Sequence, residues 1–174
     1  MMRLVPTALL AALVSAAPAG ARAITHGTIH VGRGAAGVEL DMTRAQVIAA
    51  VGNPLMNNAL GVMSYAPISS HGIFDVYPQQ ATKRVHLLVI AFPQSAGWHL
   101  GNGLPVFTAG AVGKLIDHYG AQLKKRYDQT ADSRLYYLRS TYRGRPVETQ
   151  FQVPRFSRRA LVEDVYIIFP DEAA

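Results

Sequence analysis

The chain contains no cysteine. That one absence excludes disulfides, thiolate nucleophiles, cysteine-held metals and lipid attachment through a cysteine. Tryptophan occurs once, at Trp98, and acidic residues are in short supply, with 11 Asp and Glu against 17 Lys and Arg for a net charge of +6. Beyond the N-terminal segment no apolar run approaches the ~20 residues that a membrane-spanning helix needs. Without disulfides, a chain of this size has to stand on its apolar core, and it is long enough to build one.

The N-terminus carries the longest apolar run. Arg3 precedes an apolar stretch from Leu4 to Ala17, followed by the small-residue site Ala21-Arg22-Ala23. This pattern is expected of a secretory signal peptide cleaved after Ala23, which makes the protein periplasmic or secreted. Basic residues gather at Lys124-Lys125-Arg126, at Arg143 and Arg145, and at Arg155, Arg158 and Arg159. Such clusters suit a solvated loop surface, and they leave open an acidic partner or a peripheral contact with an anionic membrane. No nucleic-acid partner is expected, because neither an RNA-binding aromatic box nor helix-turn-helix spacing is present.

Thr43 is placed to cap a helix whose apolar side holds Ala45, Val47, Ile48, Ala49 and Val51; Gly52 and Pro54 end it. Asp41, just before the cap, is expected to favour the positive end of that helix. Before it, Ile24–Val31 alternates weakly and reads as a first short strand, and Gly32–Gly37 reads as a flexible joint. After it, residues 55–60 read as a loop, and strands are expected at Val62–Tyr65, Ile73–Tyr77 and Arg84–Phe92. Thr108 is expected to cap a second helix, with Val112, Leu115, Ile116 and Tyr119 on one face and Gly120 as its stop. Lys124–Tyr127 reads as a turn. Leu135–Tyr142, Val147–Val153 and Leu161–Phe169 follow as strands, with Val147, Phe151 and Val153 inward and Glu148, Gln150 and Gln152 outward.

The order helix–strand–strand–strand thus occurs twice. The expected organisation is a signal peptide (1–23), a first helix-plus-meander repeat (24–93), a linker (94–107), a second repeat (108–170) and a frayed tail (171–174). The fold class that follows is α+β: two repeats of a helix packed on a three-stranded antiparallel meander, forming two sheets or one continuous sheet.

Met42, Thr43 and Val47, followed by Val51-Gly52-Asn53-Pro54, a Tyr-bearing strand and a long apolar strand, resemble the BamE/SmpA-like (SmpA/OmlA) fold. That fold also occurs as a tandem repeat in β-lactamase inhibitory protein-like domains. The second half matches more loosely, through Thr108, Val112, Tyr119 and Gly120. The resemblance implies a small cell-envelope protein that binds other proteins across an open sheet face. The chain departs from it in lacking both the lipidated cysteine of the assembly lipoproteins and the disulfides of the inhibitors.

Chemistry is hard to find. His26 and His30 have no carboxylates near them to complete a zinc site, and His71, His86, His99 and His118 are scattered. There is no nucleophile elbow, Ser69-Ser70-His71 reads as a loop, and Asp75, Asp117, Glu163 and Asp164 have no catalytic partner tied to them by sequence. No catalytic residue, metal or cofactor is expected. The candidates for partner contact are aromatic: Trp98, Tyr136, Tyr142 and Tyr166, residue types that bury a large area behind a polar tip. The expected function is a non-enzymatic module that binds another envelope or secreted protein. The alternative is a periplasmic carrier or sensor of a small or anionic ligand, using a linker pocket near Trp98 and the basic loops.

Overall fold

The computed structural model describes residues 20–65, 73–91, 97–129 and 132–170. Residues 1–19 of the expected signal peptide, Pro67, Phe92, Pro93 and the tail 171–174 lie outside these. Among the described residues the chain forms twelve strands and two α-helices, and no helix is long and apolar enough to cross a membrane.

In chain order the elements are β1 (Gly27–His30), β2 (Gly34–Ala35), β3 (Val38–Glu39), α1 (Arg44–Val51), β4 (Met56–Asn57), β5 (Met63–Ser64), β6 (Ile73–Pro78) and β7 (Val85–Ala91). Then come β8 (Trp98–Leu100), α2 (Ala111–Tyr119), β9 (Lys124–Asp128), β10 (Ser133–Tyr142), β11 (Arg145–Val153) and β12 (Asp164–Ile168). Eight strands make one antiparallel sheet in the order β4-β5-β6-β7-β12-β11-β10-β9, and four make a second in the order β3-β2-β1-β8. The large sheet is two meanders, β4–β7 and β9–β12, joined at its centre by their last strands.

Alternation decides which side of the large sheet is buried. Across the central strands Phe74, Ile90, Val165 and Phe151 stand in one row, and Val76, Leu88, Ile167 and Thr149 in the next. All eight are fully buried. The small sheet lies over this face. Ile29, Ala35, Val38, Leu40, Trp98 and Leu100 belong to the same hydrophobic cluster, and the Trp98 and Phe74 rings meet at 5.5 Å. The turn after β1 is held down by Gly32, whose N–H donates to Thr149 Oγ1 at 2.7 Å. Tyr142 donates to Glu39 Oε2 at 2.6 Å, tying β3 to the end of β10.

The helices fill gaps beside the small sheet. In α1 the expected cap forms: Gln46 N–H donates to Thr43 Oγ1 (3.3 Å) and Thr43 N–H to Gln46 Oε1 (2.8 Å), a reciprocal capping box. Gly52 closes the helix with a positive φ, and Tyr65 donates to the Gly52 carbonyl at 3.0 Å. Only Val47 and Val51 of α1 are buried. For α2 the expected Thr108 cap does not form. The helix starts after Gly110 with no side-chain cap, and the Thr108 hydroxyl has no hydrogen-bond partner.

Two expectations are therefore corrected. The fold class is not a pair of repeats in which a helix packs on a three-stranded meander: the protein is mainly β, with an eight-stranded and a four-stranded sheet. The resemblance to the BamE/SmpA-like fold falls with it. Helices of 8 and 9 residues, with a few buried side chains each, present too little apolar surface to roof a meander, so strands do the covering. Several of those strands lie in segments expected to be a joint, a loop, a linker and a turn: β2 falls within Gly32–Gly37, β4 within 55–60, β8 within 94–107, and β9 covers Lys124–Tyr127. Asp41 also has a different role. At φ 68° it pairs with Arg143 (3.0 Å) and Arg84 (3.7 Å), and its N–H donates to the Val85 carbonyl at 2.7 Å.

Candidate functional site: the uncovered sheet face

The other face of the eight-stranded sheet is built from the alternate residues of the same strands. Its central row runs Asp75, Val89, Tyr166, Gln150, Tyr137 and Lys124 from β6 to β9. The row on one side runs Tyr77, Leu87, Ile168, Glu148 and Arg139. On the other side run Ile73, Ala91, Asp164, Gln152, Leu135 and Arg126. None of these side chains joins the main hydrophobic cluster, although Ala91, Leu135, Glu148 and Asp164 are themselves buried. Leu87, Val89, Ile168, Tyr77, Tyr137 and Tyr166 are half-buried, and no described helix or strand lies over them.

At the β9–β11 end the face is rigid and cationic. Glu148, only 3% exposed, accepts from Arg126 at 2.9 Å, from Arg139 at 3.1 Å and from Gln150 Nε2 at 2.9 Å. Both guanidinium groups also lie over the Tyr137 ring, with Cζ at 4.8 Å for Arg126 and 5.3 Å for Arg139. The carboxylate supplies the charge that holds the two arginines near each other, and the ring supplies the surface on which they rest. Tyr137 is thereby fixed in one orientation. The hydrogen bond to Glu148 also raises the Arg139 pKa.

At the β6–β12 end the face is acidic and phenolic. Tyr166 donates to Gln152 Oε1 (3.2 Å) and Asp164 Oδ2 (3.3 Å), and Tyr77 approaches Asp75 Oδ2 at 3.5 Å. One oxygen of each carboxylate, Asp75 Oδ1 and Asp164 Oδ1, is buried without a partner. Burial pushes the Tyr166 phenol up to about 12, reinforced by Asp164, and raises Tyr77 with help from Asp75. Burial also lifts the Asp164 carboxyl above its ordinary range, opposed by the Tyr166 hydrogen bond.

A raised carboxyl pKa means that the folded state holds the proton more tightly than the unfolded chain. The cost is absent below the unfolded value and grows as pH rises through the folded one. Asp164→Asn is accordingly expected to stabilise the protein near neutrality by about 1 kcal/mol. The gain should fade as pH falls to about 4, the ordinary Asp range. Thermal melts of the two proteins at several pH values check this; a gain that stays constant with pH would contradict it.

Of the four aromatic candidates from sequence, two are core residues. Trp98 (3% exposed) and Tyr136 (7%) pack in the main cluster. Tyr142 is half-buried at the junction with Glu39, its ring under Arg143. Tyr166 alone stands on the uncovered face, where Tyr137 and Tyr77 join it. Alternation along Leu135–Tyr142 would have found Tyr137, since it is the aromatic opposite Tyr136. The three clefts described, of about 240, 290 and 420 Å³, are lined by other residues than Trp98.

Among the described residues no three His, Asp or Glu side chains gather to hold a metal. His99 Nε2 lies 3.0 Å from Thr28 Oγ1 and His118 Nε2 lies 2.7 Å from Asn102 Nδ2. Asp117 pairs with Arg158. Ser69, Ser70 and His71 lie outside the described residues. The chain matches no protein-family model, no curated protein and no solved structure.

Proposed function

We propose that this chain is an exported, non-enzymatic module that binds another envelope or secreted protein on the uncovered face of its eight-stranded sheet. One observation carries the reading: a strip of half-buried tyrosines and aliphatic side chains, separate from the core and flanked by arginines that are already held in place. Tyrosine and arginine dominate the energetics of protein interfaces, and side chains fixed before binding lose little entropy when a partner arrives. Strand backbones hold the strip to a constant spacing, as a docking platform requires. Export rests on the N-terminal pattern of Arg3, the apolar stretch to Ala17 and the Ala21-Arg22-Ala23 site.

The test is crosslinking of the tagged protein in its native envelope, mass spectrometry of what is captured, and affinity measurement with the purified partner. Tyr137→Ala and Tyr166→Ala are each expected to weaken that affinity about tenfold or more, with circular dichroism unchanged. Capture of a single protein whose affinity is unaffected by both substitutions together would remove the face from consideration. No captured protein at all would overturn the binding-module reading.

A further inference from the structure

We propose that a second surface, on the opposite side of the sheet from Tyr137 and Tyr166, docks the protein onto an anionic lipid bilayer. The surface is formed by the loop between β11 and β12 and by the adjoining edge strand β9. Phe156 stands out from that loop at 38% exposure, and Tyr127 on β9 at 47%. Lys125 and Tyr127 project to the same side of β9 as Tyr136, by their register with β10. Lys125 Nζ lies 5.5 Å from the Phe156 ring centroid, and Tyr136 meets that ring edge-on at 5.5 Å. Arg134 lies over the Tyr127 ring at 5.3 Å and reaches the Pro154 carbonyl at 3.5 Å. Loop and edge strand are therefore one continuous patch.

The loop is an ordered platform. Ser157 N–H donates to Arg155 O and Ala160 N–H to Ser157 O, each at 3.0 Å, while the start of α2 grips it through Gly113 N–H to Arg158 O at 2.9 Å. Arg155 and Arg159 belong to this platform, one on either side of Phe156 in sequence. Among the described residues the side chains of Lys125, Arg155 and Arg159 have no ion-pair partner, and all three are exposed. The edge strand ends on an acidic residue, Asp128, and beyond it Asp132 accepts from the Tyr127 hydroxyl.

Charge complementarity makes the occupant anionic, and the arrangement of the cations makes it a lipid surface. A folded acidic protein gains most from cations held by hydrogen bonds in one geometry, as Glu148 holds Arg126 and Arg139. Here the cations sit on long stems with no such restraint, around an exposed phenyl ring. That combination suits a diffuse negative surface with an apolar layer beneath the headgroups. Docking this way leaves the opposite sheet face free for a protein.

The experiment is co-sedimentation of the folded protein with phosphatidylcholine vesicles, with and without phosphatidylglycerol. Binding is expected only with phosphatidylglycerol, falling sharply as salt rises from about 50 to about 500 mM. Replacing Lys125, Arg155 and Arg159 by Gln should weaken it about a hundredfold, at roughly fivefold per charge. Phe156→Ser should weaken vesicle binding and leave binding to soluble polyaspartate unchanged. Equal sedimentation with both vesicle types, or none at low salt, would overturn the proposal. So would a Phe156→Ser protein that binds vesicles as the parent does, which would make the patch a site for acidic proteins. Neither substitution set touches Tyr137 or Tyr166, so failure here is separate from failure of the partner reading.

Discussion

Replacing Phe74 by alanine is expected to cost about 4 kcal/mol of folding stability. Phe74 is fully buried at the place where three elements meet. It stands opposite Ile90 in the sheet, with Tyr65 at 6.0 Å on one side and Trp98 at 5.5 Å on the other. Tyr65 is fixed by its bond to the end of α1 and Trp98 by the pairing of β8 with β1, so neither ring can slide into the vacated space. Unrelaxed cavities are the costly ones. Urea unfolding should show the loss as a lower midpoint with little change in slope, and the melting temperature should fall by roughly 10 °C. Phe74→Leu, which refills most of the volume, should cost about half as much or less. A loss below about 1 kcal/mol would mean that β8 does not rest on β6.

Gly34→Ala is expected to be nearly as damaging, for a different reason. A Cβ built at Gly34 would sit 2.0 Å from the Val38 carbonyl oxygen and 2.8 Å from Glu39 Cα. Both are backbone atoms of the strand paired with it, so no side chain can swing aside. To accept the methyl group, β2 has to separate from β3. That separation loosens Ala35, Val38 and Leu40, all buried against the large sheet. The expected cost is about 3 kcal/mol or more, with hydrogen exchange accelerated in β1–β3 ahead of the rest of the molecule. Gly101→Ala is the control. Its Cβ would come closest to the ring nitrogen of His30, at 3.3 Å, on an exposed side chain free to move, with the Ile29 carbonyl oxygen at an ordinary 4.0 Å. Equal behaviour of the two variants would contradict the steric explanation.

These two residues also show where sequence reading succeeds and where it stops. Patterns that local physics enforces were legible. The cap at Thr43 and the stop at Gly52 are where helix chemistry puts them, and β11 alternates as Val147, Phe151 and Val153 inside with Glu148, Gln150 and Gln152 outside. Strands made by distant pairing were not. Trp98–Leu100 is three residues long and becomes a strand only because Gly27–Ile29 lies parallel to it. Gly34–Ala35 looks like a joint because glycine permits many conformations, yet here glycine is needed for the closeness of two backbones. Lys124-Lys125-Arg126 looks like a solvated turn because charge favours water, and an edge strand satisfies that preference equally well.

The candidate site was legible in part for the same reason. Tyr166 stands on the uncovered face, where alternation along its strand puts it, whereas Trp98 cannot be told from an interface anchor without knowing that β8 carries it inward. Glu148 reads as one more outward polar residue; its two arginines come from β9 and β10, and only the register of the sheet brings the three together.

The seam between β7 and β12 bears on how the molecule reaches this state. Within each meander, successive strands pair with near neighbours in the chain, and such contacts close quickly. The seam joins Ile90 to Val165 and Leu88 to Ile167, closing a far longer loop and therefore late. Until it closes, each half carries an unpaired edge strand rich in valine, isoleucine and leucine, which another newly made copy could mistake for its own second half. The interval before the halves join is the one in which this protein is most exposed to its own kind.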